Sequence, residues 1–262
     1  MAAQFDAVAE LTKSFQLLFQ KRNWMLAVPI LVGSLVAAII VAIGVMIAFG
    51  SILAGGGMAA ILSGGGERGG AGILGLLFSG LGFVFVLLCF VAVIVGMLGY
   101  AWAYAAAEPL WQGGEPDIGG GFSKALAKLG PLAVLGIIFG VVLVLLGWTI
   151  IVPILIGLFC VYCIPYIMQG NQSGTGAIGA SINLAKNNFG PTGLLFLAFV
   201  VVGIAAGIVN AILGIIPILG QILALAVGAL LGAFAILAVQ RFYALLTGAA
   251  APSAPAARTT TT

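Results

Sequence analysis

Phe122-Ser123-Lys124-Ala125-Leu126-Ala127-Lys128-Leu129-Gly130-Pro131 and Ile182-Asn183-Leu184-Ala185-Lys186-Asn187-Asn188-Phe189-Gly190-Pro191 follow one plan. In each, a short Lys-bearing amphipathic segment leads through Gly-Pro into a long apolar run. Phe5 to Pro29 repeats the plan more loosely, and Gln112-Gly113-Gly114 and Gln169-Gly170-Asn171 stand at matching places ahead of the two closer copies. Three such units predict three membrane hairpins, each preceded by a helix that lies on the bilayer surface.

Composition sets the solvent. Of the 262 residues 63% are hydrophobic and 6% charged, with a mean hydropathy of +1.31, whereas soluble domains average roughly 25% charged. Nine Lys or Arg and six Asp or Glu cannot give a chain of this length a water-compatible surface, so the bilayer is its expected partner. No cleavable leader is expected, because the polar stretch extends past Arg22 and the apolar run after it exceeds the length of a signal core.

Working outward from the three units, Phe5, Val8, Phe15, Leu18 and Phe19 recur at helical spacing, with Glu10 and Lys13 able to pair on the wet side. Lys21-Arg22-Asn23-Trp24 then forms a basic stop with an interfacial aromatic. Met25 to Gly50 is uncharged and longer than the ~20 residues a crossing helix needs. Ser51 to Gly80 is interrupted by glycine clusters around Glu67-Arg68 and reads as a flexible or partly re-entrant outer insertion. Leu81 to Ala107 is the second span, closed by Tyr100, Trp102 and Tyr104 as an aromatic belt.

Ile118, Phe122, Leu126 and Leu129 align on one face of the next surface helix, and Lys124 and Lys128 lie on another. Pro131 to Met168 then runs 38 residues without a charge, enough for two minimal spans with a break at Gly147 to Pro153 and a kink at Pro165. The third unit carries Ile178, Ile182, Ala185 and Phe189, then Pro191 to Leu246 as a hairpin turning at Gly214-Ile215-Ile216-Pro217 and closed by Arg241. The expected fold is an all-α membrane protein with six transmembrane helices as three hairpins. Residues 1–246 form one domain with repeats at about 5–107, 117–168 and 177–246, the Gly-rich insertion covers 51–80, and 247–262 is a disordered cytoplasmic tail.

With six spans and a cytoplasmic N-terminus, eight basic residues (Lys13, Lys21, Arg22, Lys124, Lys128, Lys186, Arg241 and Arg258) fall inside and one, Arg68, outside. Both termini are therefore expected in the cytoplasm. The same spread of basic residues argues against nucleic acid as a partner.

Chemistry is sparse. The chain has no His, and the Cys160-x-x-Cys163 pair lacks the further ligands a metal would need, so no metal, cofactor or catalytic set is expected. Cys89 lies inside an apolar run as a small hydrophobe. No acidic residue falls within a predicted span, which argues against an ion-coupled pump. The polar candidates are Glu108 at the inner edge of span two, and Asn210 and Gln221 on either side of the last turn. Gly136-x-x-x-Gly140, Gly203-x-x-x-Gly207 and Gly228-x-x-x-Gly232 are candidate helix contacts, although 40 glycines in 262 residues produce such pairs by chance.

The succession Tyr104 to Lys128, Ile150-Ile151-Val152-Pro153, Ile164-Pro165-Tyr166 and Ala180-Ser181-Ile182-Asn183-Leu184-Ala185-Lys186-Asn187 resembles the polytopic membrane domain found fused to some bacterial glycerophosphoryl diester phosphodiesterases and also alone. It covers roughly Leu98 to Leu246 and the first hairpin more loosely. The resemblance implies a six-span inner-membrane bundle with interfacial helices. These residues include nothing like the acidic, His-rich hydrolase domain, so its activity is not expected to carry over, and no functional residues transfer. On these grounds the chain is expected to be a non-enzymatic membrane protein, first a scaffold or subunit of a membrane complex, packing against other membrane proteins or itself, or an organiser of envelope lipid, with a transporter or permease-like protein for an apolar or lipid-like solute as the alternative.

Overall fold

The computed structural model describes residues 6–20, 22–54, 80–149, 151–216 and 219–248, and every regular element among them is helical. In chain order these are α1 (Ala7–Leu18), a 3-10 turn (Asn23–Leu26), α2 (Ala27–Ala54), α3 (Gly80–Ala107), a second 3-10 turn (Glu108–Gln112), α4 (Ile118–Ala127), α5 (Leu129–Leu146), α6 (Ile151–Phe159), α7 (Cys163–Met168), α8 (Gly174–Asn187), α9 (Phe189–Leu213) and α10 (Leu219–Thr247). Five stretches among the described residues are long and apolar enough to cross a bilayer: Asn23–Ile47, Phe83–Gln112, Leu129–Leu146, Phe189–Leu213 and Leu219–Thr247. The chain is a multi-pass helical membrane protein.

Proline explains where the helices stop. Pro29, Pro131, Pro153 and Pro191 are each the third residue of their helix, in the first turn, where a backbone N–H has no helical partner to lose. A proline ring also clashes with the carbonyl four residues earlier. Accordingly α4 ends at Ala127, four before Pro131, and α8 ends at Asn187, four before Pro191. Single non-helical residues, Lys128 and Asn188, join each surface helix to its span.

Burial recurs at fixed distances from three of these prolines. Six residues before, one after and four after stand Asn23, Ile30 and Gly33; Ala125, Leu132 and Leu135; and Ala185, Thr192 and Leu195, and all nine are buried. The span expected between the Gly147 turn and Met168 departs from a simple helix. It is broken at Cys160 to Tyr162 into α6 and α7, because Pro165 cannot donate to the Val161 carbonyl. Ser181 of α8 fills the break: its Oγ accepts from the Tyr162 N–H at 3.1 Å and donates to the Phe159 carbonyl at 2.8 Å.

The short helices α1, α4 and α8, expected to lie on the bilayer surface, are capped as their sequences dictate. Asp6 accepts from the N–H groups of Val8 and Ala9, Asp117 from Gly120 and Ser173 from Gly176. Their packing faces are small: Gly121 and Ala125 of α4, and Gly174, Ala177, Ser181 and Ala185 of α8, are buried against the bundle. The bulky stripe Phe122, Leu126 and Leu129 points outward. This inverts the pattern of a soluble helix and suits one that lies in lipid while its backbone closely approaches its neighbours.

Along their lengths α2 packs on α3 and α9 on α10, while α10 also lies against α1 and α2. The middle pair is different: α5 packs on α3 and α8 and touches α6 little. At the α2–α3 crossing, a Cβ on Gly33 would lie 2.9 Å from the Gly99 Cα. The buried clusters gather at the end where the surface helices meet the spans, and include Leu18, Tyr104 and Leu237 in one, Leu132 and Ile167 in another, and Tyr162 and Phe242 in a third.

Three expectations need revision. Tyr104 is 1% exposed rather than part of an aromatic belt, because it lies in the buried cluster with Leu18 of α1 and Leu237 of α10, while α4 folds back over the end of α3. That fold is held by Trp102 Nε1 donating to the Ile118 carbonyl at 2.7 Å and by Asp117 N–H donating to the Ala106 carbonyl at 3.1 Å. Residues 51–54 continue α2 and Gly80 opens α3, so the Gly-rich insertion is narrower than 51–80. Its residues 55–79, together with Phe5, Lys21, Pro217 and the tail from 249, lie outside the described residues. Arg241, expected as a simple inner flank, reaches back to α1: its Nε is 2.6 Å from Glu10 Oε2, with Lys13 Nζ 2.7 Å from Glu10 Oε1.

Burial alone would raise the Glu10 carboxyl, but the bonds from Arg241 and Lys13 outweigh it, and Glu10 titrates below its ordinary value of 4.5. A carboxyl whose folded value is depressed stabilises the fold above its unfolded value and loses that contribution as pH falls through the folded one. Thermal stability in detergent is therefore expected to fall as pH is lowered from about 5 to below about 4. Glu10→Gln should flatten that part of the profile, and an identical acid limb in the variant would assign the loss to other carboxylates.

Candidate functional site

Two glycine contacts assemble a polar cavity among the long apolar helices. Gly33 crosses Gly99, which sets their chain neighbours Ser34 and Tyr100 at one level of α2 and α3. Gly220, the second residue of α10, packs directly on the Leu213 carbonyl that ends α9, where any side chain would collide. That contact holds Asn210, in the last turn of α9, beside Gln221 in the first turn of α10.

The four side chains line one cavity of about 270 Å3 between α2, α3, α9 and α10, floored by Gly228 and Ala229. Ser34 is half-buried; Tyr100, Asn210 and Gln221 are more exposed. None of the four side chains has a hydrogen-bond partner among the described residues. The cavity wall thus carries polar atoms that are open to a guest. Two amides, a phenol and a hydroxyl offer both donors and acceptors, and no charged group lines the wall. The chemistry on offer is recognition of an uncharged hydroxyl, carbonyl or amide.

The structure brings Asn210 and Gln221 together and leaves Glu108 apart. Glu108 lies in the 3-10 turn after α3, with its Oε2 2.6 Å from Lys124 Nζ of α4, an ion pair that ties surface helix to span. Ser34 and Tyr100 escaped sequence reasoning. Their one signal is adjacency to Gly33 and Gly99, which means nothing until the crossing is known. Among the described residues no group of three or more His, Cys, Asp or Glu could hold a metal, and Cys160 and Cys163 are free thiols.

Fold and cavity together define a helical multi-pass membrane protein with an uncharged polar recess opening between its first and last long helix pairs. Compared with protein-family models, with curated proteins and with solved structures, the chain matches none.

Proposed function

We propose that the protein binds, and passes through the bilayer, a lipid-like solute with an uncharged polar head. The observation that carries this reading is the convergence of Ser34, Tyr100, Asn210 and Gln221, all without internal partners, on one cavity. A scaffold role, which charge-free Gly- and Ala-rich spans suggest on their own, requires no such recess. The activity is binding and movement rather than catalysis, because the cavity wall offers no general base or activated nucleophile.

The topology that suits this reading has six crossings, α6 and α7 together supplying the fourth. The N-terminus is cytoplasmic, so that Lys13, Arg22, Lys124, Lys128 and Lys186 face the inner side of a bacterial inner membrane. The recurrence of burial around Pro29, Pro131 and Pro191 supports three repeats. The likeness to the stand-alone membrane domain of glycerophosphoryl diester phosphodiesterases accords with it.

Asn210→Leu/Gln221→Leu removes the two amides while keeping side-chain bulk. With each net hydrogen bond contributing about 1 kcal/mol, affinity for a fluorescent monoacylglycerol in nanodiscs is expected to drop roughly ten-fold or more. Thermal stability should be unchanged. Unaltered affinity in the double variant would remove this cavity from the function.

A further inference from the structure

The break between α6 and α7 carries chemistry that the polar cavity does not use. Cys160 is the first residue beyond α6, and Cys163 is the first residue of α7, so the two thiols of the Cys160-x-x-Cys163 pair flank the break. Between them the chain makes a tight turn. The Cys163 N–H donates to the Cys160 carbonyl at 3.1 Å, and Tyr162, with φ −94° and ψ 6°, has the backbone of the third residue of a type I turn. The ends of such a turn lie less than about 7 Å apart at Cα, and a disulfide spans about 4.4–6.8 Å. The two side chains adjoin each other. Both are free thiols, and the turn holds them ready to join.

Their surroundings differ. Cys163 is 1% exposed and its Sγ donates to the Ala177 carbonyl of α8 at 3.7 Å. Cys160 is only half-buried. Ser181, one helical turn beyond Ala177, fixes the same break through Tyr162 and Phe159, so α8 clamps the turn without occupying the outer thiol. Ala101, Leu132, Leu135 and Ile167 form the cluster around Cys163, which gives the pair an apolar, uncharged approach.

We propose that Cys160 and Cys163 are a redox-active dithiol that exchanges with a small apolar disulfide. Cys160 attacks and Cys163 resolves. The Cys160 sulfur bonds to one sulfur of the incoming disulfide, and the other sulfur leaves as a thiol with the Cys160 proton. Cys163 then attacks the Cys160 Sγ, and the second half leaves as a thiol with the Cys163 proton. The chain gives up two electrons and two hydrogens, which appear in the two released thiols. Closure ends the donation from Cys163 to Ala177 and staples α6 to α7 across the break. This site is independent of the polar cavity, and either can fail without the other.

The test treats the full chain in nanodiscs with 4,4′-dithiodipyridine, an apolar disulfide whose leaving thiol absorbs light. In the wild type the peptide bearing Cys160 and Cys163 is expected to lose two hydrogens and retain no adduct, and dithiothreitol should restore it. Cys163→Ala should trap the mixed disulfide on Cys160. Cys160→Ala should leave Cys163 reacting roughly ten-fold more slowly or not at all, as its burial demands. Titration of the wild type against a glutathione redox buffer should show one two-electron step that either variant abolishes, a readout that thiols serving only as packing would not give. A wild type that keeps its adduct, or that leaves both thiols unmodified, overturns the dithiol. Equal rates at Cys163 in the wild type and in Cys160→Ala overturn the assignment of attacker and resolver.

Discussion

Gly33→Val is expected to wedge α2 from α3 and to lower the thermal midpoint in detergent by on the order of 5 °C. The added Cβ would lie 2.9 Å from the Gly99 Cα and 3.4 Å from the Val95 carbonyl oxygen. These are backbone atoms, which no rotamer change can move aside. Overpacking of this kind costs typically about 1–3 kcal/mol, and in a chain of this size each kcal/mol shifts the midpoint by roughly 2–4 °C. The same wedge separates Ser34 from Tyr100, so binding of the lipid probe should fall with stability. Gly203→Val supplies the contrast: a Cβ at Gly203 meets nothing within 4 Å, and its midpoint should stay near that of the wild type. Equal shifts in the two variants would contradict a close α2–α3 crossing.

Gln240→Leu is the second large effect. Gln240 is 4% exposed; its Nε2 donates to the Tyr104 carbonyl at 3.0 Å and its Oε1 accepts from Trp111 Nε1 at 3.1 Å. Leucine fills the space but leaves the indole N–H of Trp111 without a partner, a loss of about 1–3 kcal/mol for a buried donor. The Arg241 guanidinium sits 5.2 Å over the Trp111 ring while its Nε holds Glu10. Loosening the indole therefore weakens the grip on α1. Hydrogen exchange should show α1 amides opening faster in Gln240→Leu than in wild type, in step with the fall in thermal midpoint. A variant that loses stability with α1 still fully protected would confine the effect to α3 and α10.

These two cases also show what the sequence could and could not reveal. The long apolar runs and their Lys-bearing approaches were legible because they are local: a proline in the first turn and a polar cap announce a helix start with no help from the rest of the chain. Packing faces were hidden. Gly121 and Ala125 carry no hydrophobic signal, yet they are the buried side of α4, and the visible stripe through Phe122 and Leu126 turns out to face away from the protein. Pro165 signalled trouble in the apolar run before Met168, but the hydroxyl that fills the break comes from Ser181, which lies in another helix.

The site divides in the same way. Asn210 and Gln221 stand out as polar residues in apolar runs, whereas Ser34 and Tyr100 join them through crossings at Gly33, Gly99 and Gly220 that exist only in three dimensions. Glu108, equally conspicuous in the sequence, has its charge taken up by Lys124.

Glu10 and Arg241 are 231 residues apart, and α2 through α9 lie between them. In a chain made from its N-terminus, α1 is complete long before α10, and its carboxylate faces Lys13 alone while α2 to α9 are made. Its second partner arrives with α10. The ion pair is thus a clock as well as a clasp, closing only once α10 has joined the helices made before it.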